Sequence, residues 1–215
     1  MTDPREEYRD AREQMAATVA TGRGRAIDGR IRRALEAVPR HAFVPSDRRE
    51  RAYEDVPLPI GDDQTISAPH MVAVMADHLA LEPGEEVLEV GTGCGYHAAV
   101  TAELVGEETL LTVEYSEDLA RNAREILAEL GYDGVRVRVG DGREGWKEHA
   151  PFDAIYLTCA APEVSDPLLE QLRPGGRLLA PVGTAFQTLV RVDKREDGTL
   201  ERSEHGGVRF VRMRG

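Results

Sequence analysis

The sequence predicts a doubly wound α/β domain, a mostly parallel, Rossmann-like sheet of seven strands with helices ahead of it and a β tail behind. Three observations carry this. Strand-like and helix-like segments alternate from Val87 onward, a glycine-rich turn separates the first pair, and acidic residues stand where later strands end.

Asp3 to Thr21 reads as a helix, with Asp3 as N-cap, Pro4 in the first turn, and Gly22 and Gly24 ending it. Ile27 to Val38 reads as a second, with Ile31, Ala34, Leu35 and Val38 on one face until Pro39 stops it. Together they form a cap over the sheet. Tyr53 to Ile66 reads as irregular, and so long an unstructured piece in a compact domain is usually functional. Ala68 to Leu79 is predicted helical, with Ser67 placed to cap it. The alternation then runs through strand Val87–Val90, helix Ala98–Val105, strand Thr109–Glu114, helix Glu117–Leu130, strands Val135–Val139 and Ala154–Thr158, helix Pro167–Leu172 and strand Arg177–Pro181. Thr188–Val192 and Val208–Met213, about a turn at Asp197-Gly198, complete the tail as a hairpin. We read residues 1–215 as a single domain, with a helical and substrate-side part over 1–80, a ligand-binding core over 81–183 and terminal strands over 184–215.

A net charge of −12 argues against a nucleic-acid partner, whose phosphates demand a basic surface. Lysine occurs only at Lys147 and Lys194 while carboxylates abound, a composition that fits either a salt-loving source or biased base usage. The absence of a long apolar run and the charged first residues predict a cytoplasmic protein with no membrane partner, and we expect a monomer. Cys94 and Cys159 lack metal-ligand spacing, so no metal site is expected and both thiols should be reduced.

The alternate glycines Gly91, Gly93 and Gly95 permit a tight turn close to a ligand. A dinucleotide site wants its third glycine where Tyr96 stands, so a nicotinamide oxidoreductase ranks last. The following helix N-terminus still suits a small anion such as an amino-acid carboxylate, and Glu89 can accept from an ammonium group. Both groups occur in S-adenosyl-L-methionine. Glu114 ends the second strand at about the 20-residue spacing expected of a ribose-binding carboxylate. Asp141, between Gly140 and Gly142, can accept from an adenine amino group, and Thr158 ends the fourth strand.

These motifs resemble the protein-L-isoaspartate O-methyltransferases, a family of class I S-adenosylmethionine-dependent methyltransferases, over nearly the whole chain. The resemblance rests on Val38 to Pro45, on Tyr53-Glu54-Asp55 with Pro57 to Gly61, and above all on Gln64-Thr65-Ile66-Ser67-Ala68-Pro69-His70-Met71. It continues through Val87 to Tyr96, Gly140 to Gly142, Phe152 to Ala154, Leu172 to Arg177 and Pro181 to Gly183. The resemblance implies methylation of the α-carboxylate of L-isoaspartyl residues in damaged proteins, which are the expected partners. It also implies an active-site role for Ser67, cofactor contacts at Gly91, Gly93, Glu114, Asp141 and Gly142, and a further contact at Gln187. The full cofactor-binding expectation is Thr65, Ile66, Ser67, Glu89, Gly91, Thr92, Gly93, Gly95, Glu114, Tyr115, Asp141, Gly142, Thr158 and Gln187. Pro57, Leu58, Pro59, Ile60 and His70 are expected on the substrate side. His97 and Cys159 depart from the family's usual residues and are read as packing side chains.

Methyl transfer to a carboxylate that is already ionised needs no general base, so the lack of a Ser-His-Asp or metal constellation is expected. Alignment can supply about 7–11 kcal/mol of such a barrier. Two other readings stay open: a methyltransferase acting on another protein carboxylate, and a non-catalytic S-adenosylmethionine-binding protein.

Overall fold

A computed structural model describes residues 6–22 and 27–215. The expected helix start at Asp3-Pro4 and the stop at Gly24 lie outside the described residues. Helix α1 spans Arg9–Thr21 and α2 spans Gly29–Ala37, the latter capped by Asp28, whose carboxylate accepts from the Arg30 N–H at 2.7 Å. Their buried faces, Met15, Ala16 and Val19 against Ile31, Ala34 and Leu35, join one apolar cluster.

The stretch expected to be irregular instead folds into a hairpin, β1 (Leu58–Gly61) and β2 (Gln64–Ile66). Its turn residues Asp62 and Asp63 both take positive φ (52° and 55°), the conformation a two-residue hairpin loop needs. Pro57 and Pro59 mask this from a sequence reading, since proline is normally excluded from all but edge strands. Helix α3 (Pro69–Leu79) follows, and Ala68, not Ser67, occupies its cap position without a side-chain cap bond. Pro69 in the first turn, with no N–H to satisfy, lowers the need for a capping hydroxyl.

The alternating core comprises β3 (Val87–Val90), α4 (Tyr96–Val105), β4 (Leu110–Glu114), α5 (Glu117–Glu129), β5 (Arg136–Val139), β6 (Phe152–Leu157), α6 (Asp166–Glu170) and β7 (Leu172–Val182). Strands β8 (Gln187–Lys194) and β9 (Leu200–Val208) finish a seven-stranded sheet in the order β5-β4-β3-β6-β7-β8-β9. Pairs from β5 to β7 are parallel, and the last two are antiparallel. The tail hairpin therefore turns at Asp197-Gly198 as expected, but its outer strand is Leu200–Val208. The chain beyond it runs back over the strand tips, where Ala160 N–H donates to Val211 O and Met213 N–H to Ala160 O, both at 2.8 Å. β9 escaped the sequence reading because it is an edge strand exposed on both faces, with no apolar period to mark it.

Side chains alternate along the central strands. Leu88, Val90, Ile155 and Leu157 pack on one face, and Val87, Ala154 and Tyr156 on the other. Glu89 shares the second face and is fully buried, opposite Thr112 of β4 and Tyr156 of β6. Its carboxyl oxygens meet the Thr112 hydroxyl at 2.7 Å and the Tyr156 hydroxyl at 2.9 Å. Burial pushes the Glu89 pKa up to about 8, so the group is protonated at neutral pH. The Thr112 hydroxyl also meets the Thr92 hydroxyl at 2.7 Å, linking the glycine-rich turn to the core.

A second buried polar anchor is Arg40, in a short 3-10 turn (Arg40–Phe43). Fully buried, it donates from Nε to Ala52 O (2.7 Å), from Nη1 to Ser67 O (2.7 Å) and from Nη2 to Val56 O (3.2 Å). Its guanidinium lies 4.9 Å from the Tyr96 ring centre, a cation–π contact with the first residue of α4.

Two outcomes follow from these anchors. Arg40→Ala leaves three interior carbonyls without their donor, so urea denaturation should report a loss of about 3 kcal/mol or more; a loss below 1 kcal/mol would deny Arg40 this role. For Glu89 the folded pKa exceeds the unfolded value of about 4.3. Its neutral form therefore costs nothing below that value, and stability falls as pH rises toward 8, by on the order of 1 kcal/mol per unit. Unfolding curves from pH 5 to 8 should show wild type losing ground steadily to Glu89→Gln, and parallel pH dependences would refute the assignment.

Candidate active site

The sheet order reverses at β3, which lies between β4 and β6, and the crevice outside the strand ends at such a point is where open α/β sheets bind ligands. A cavity occupies it, walled by residues of the hairpin, the glycine-rich turn and the ends of β4 and β6. The glycine-rich turn forms its floor. Gly91 has φ +98°, and a Cβ there would run into the Thr158 hydroxyl, which itself bonds to Gly91 O. The turn thus sits tight against the end of β6.

Of the expected cofactor residues, Thr65, Ile66 and Ser67 line the cavity from the hairpin side, and Gly91, Thr92 and Gly93 from below. Glu114, Tyr115, Gly142 and Thr158 complete this part of the wall. The Glu114 carboxylate accepts from the Gly93 N–H (2.8 Å) and the Ser116 N–H (3.0 Å), which fixes both oxygens while leaving a lone pair on each for a vicinal diol. Tyr115 stands at the rim with half its surface exposed. The Ser67 hydroxyl makes no hydrogen bond among the described residues.

Four of the expected cofactor residues, Glu89, Gly95, Asp141 and Gln187, do not line the cavity. Glu89 points into the sheet, where Thr112 and Tyr156 occupy its carboxyl, and it does not line the cavity. Gly95 serves helix packing, since a Cβ there would stand 3.2 Å from Leu127 of α5. Asp141 turns its carboxylate to Arg143, accepting from that residue's backbone N–H at 2.9 Å and its Nη2 at 2.6 Å, and its pKa is lowered mainly by the guanidinium. Gln187 spends its amide on the backbone of Phe210, donating to the carbonyl at 3.1 Å and accepting from the N–H at 2.6 Å.

A wide groove adjoins the cavity, and Pro57 and His70 lie along it. The His70 ring also meets Asp55 at 2.8 Å, so the histidine is tied locally. Of the other residues expected on this side, Leu58 is buried in the core, Pro59 is exposed and Ile60 lies against Gly93, and none of the three lines the groove.

Several wall residues were not anticipated. Val72, Cys94, Tyr96, His97 and Cys159 all line the cavity, as does the terminal run from Val211 to Arg214. Arg214 bonds to the carboxylate of Asp62 (2.7 Å) and to its carbonyl (2.6 Å), clasping the hairpin tip over the site. No local pattern marks that run, which arrives by topology alone. Burial raises the Cys94 thiol to about 11 and the Cys159 thiol to about 12, so both stay protonated and unreactive near neutrality. His97 is the most unusual wall residue. Only 6% exposed, it has no hydrogen-bond partner among the described residues on either ring nitrogen, although an unmade bond on a buried group costs about 1–3 kcal/mol. Burial alone pushes its pKa down to about 3, so the ring is neutral.

Comparison with known proteins agrees with this geometry. Protein-L-isoaspartate O-methyltransferase 2 of Archaeoglobus fulgidus is 50% identical over 210 residues, 97% of this chain and 95% of that one. The protein-L-isoaspartate O-methyltransferase of Methanopyrus kandleri is 50% identical over 97% of this chain and 93% of its own. A solved protein-L-isoaspartate O-methyltransferase structure superposes with a TM-score of 0.87 at 31% identity, over 95% of this chain and 66% of that longer one. A Plasmodium falciparum structure of a protein so described, bound to S-adenosyl-L-homocysteine, shares the fold with a TM-score of 0.82 at 22% identity over 96% of this chain and 98% of that one. The family described as Protein-L-isoaspartate(D-aspartate) O-methyltransferase matches residues 13–215, and the chain belongs to that family.

Proposed function

We propose that the protein transfers a methyl group from S-adenosyl-L-methionine to the α-carboxylate of L-isoaspartyl residues in damaged proteins, giving an ester that collapses to a succinimide and starts repair. One observation carries the reading at the site: the cavity and the adjoining groove share Thr65, Ser67, Thr158, Val211 and Arg212. A donor held in the first meets an acceptor lying in the second only there.

The wall fits a nucleoside joined to an amino acid. Glu114 offers fixed acceptors to ribose hydroxyls, and the unpartnered His97 ring offers polar atoms at the buried end. When bound, S-adenosylmethionine supplies an electrophilic methyl group on a sulfonium. The acceptor carboxylate, with an ordinary pKa near 4, arrives ionised, so the protein's task is to aim and partly desolvate it. Ser67 is suited to this because its hydroxyl is not consumed by capping and its carbonyl is pinned by Arg40. Arg212, exposed at the shared opening, adds positive potential for an anionic acceptor.

Two measurements decide the matter. Labelled methyl should pass to an isoaspartyl peptide and be released as volatile methanol by mild base, while its aspartyl twin gains at least tenfold less label. Equal labelling of both peptides points to a different carboxylate, and no labelling of either defeats the proposal. Ser67→Ala should lower kcat by roughly ten- to a hundredfold, the worth of one hydrogen bond to a charged group, with S-adenosylhomocysteine affinity and melting temperature nearly unchanged. A parallel loss of affinity would make Ser67 a cofactor ligand instead.

A further inference from the structure

We infer that His97 binds the amino-acid head of the methyl donor, acting as a hydrogen-bonding positioning residue that the buried end of the site requires. This rests on the proposed use of S-adenosylmethionine and deepens it.

Among the described residues, the elements around the ring leave it no hydrogen-bond partner. It belongs to the first turn of α4, in a run of buried residues from Tyr96 to Ala102. Its nearest polar neighbour by ring contact is Tyr156, 4.8 Å between centres at a tilt of 39°. The Tyr156 hydroxyl is already engaged by Glu89 at 2.9 Å and Thr101 at 2.9 Å. Glu89 has both oxygens occupied, so the internal network closes without the histidine. Folding alone would be better served by an apolar side chain, because a buried imidazole with both nitrogens unmet is a cost with no local return. His97 joins the wall of the cavity, beside the glycine-rich turn.

Position then selects the ligand atoms. Glu114 stands on β4, to one side of β3, and takes the ribose. Tyr156 and Thr158 stand at β6 on the other side, and His97 packs against Tyr156. A ligand whose sugar lies at Glu114 and which crosses the glycine turn delivers its far end to His97. A neutral imidazole carries one donor and one acceptor. The head of the methyl donor carries a carboxylate that accepts and an ammonium that donates, so the chemistry is complementary.

The test compares two ligands that differ only at that end. S-adenosylhomocysteine retains the amino-acid head, and 5′-methylthioadenosine lacks it. By calorimetry, His97→Leu should weaken S-adenosylhomocysteine at least tenfold while 5′-methylthioadenosine stays within twofold of wild type, and His97→Gln should recover most of the loss. Equal affinities in variant and wild type, or equal weakening of both ligands, would overturn the inference. If the Leu variant does not fold, the imidazole 15N resonances of the wild-type protein answer instead. They should move on adding S-adenosylhomocysteine and not on adding 5′-methylthioadenosine, and no selective movement refutes the contact. Failure of wild type to bind S-adenosylhomocysteine at all would sink the methyl-donor reading itself, a result distinct from a silent His97.

Discussion

A single interior guanidinium holds the substrate side of this protein to its cofactor side. Arg40 reaches carbonyls at Ala52, Val56 and Ser67, three points on a segment whose own regular structure is one short hairpin. Buried carbonyls left without donors are costly, and a cation spread over three of them satisfies the group and the chain together. The same guanidinium rests on Tyr96 at the head of α4, so the segment is referenced to the helix that follows the glycine turn. The placement of Ser67 within the wall is therefore a property of the core, not of a free loop.

The glycine turn has its own tether. Thr92 is joined through Thr112 to Glu89, and Glu89 through Tyr156 to Thr101, so a chain of hydroxyls and one protonated carboxyl runs across three strands and into α4. A sheet centre is an expensive place for such groups, and only complete pairing makes it tolerable. What the network secures is a turn whose backbone can approach a ligand closely without moving. His97, beside the network yet outside it, stands out for that reason.

Most of the sheet could be read from the chain because its central strands are buried on both faces and alternate with amphipathic helices. Val87–Val90 and the strand ending at Glu114 needed no tertiary information. The failures share a physical cause. The β1–β2 hairpin hid behind prolines, and β9 behind a polar edge. In the site, spacing found Gly91, Gly93, Glu114 and Thr158 because strand ends are fixed by topology. Spacing does not tell which way a carboxylate turns: those of Glu89 and Asp141 are held by neighbouring side chains and do not line the cavity. Ser67, which the family motif puts at the active site, lines the cavity, and its hydroxyl is not a cap, since Pro69 already starts α3.

The opening shared by cavity and groove consists of five residues, with the clasp of Asp62 and Arg214 over the cavity side. On the proposed reading, this makes the enzyme exacting toward one reactant and indifferent to the size of the other. Only a short length of acceptor chain needs to enter, and the rest of its parent protein stays in solvent. Damage in a frayed terminus or an unstructured loop is then reachable whatever fold surrounds it, while the same lesion inside a rigid helix or sheet must wait for local unfolding. Repair would be paced by the looseness of the client.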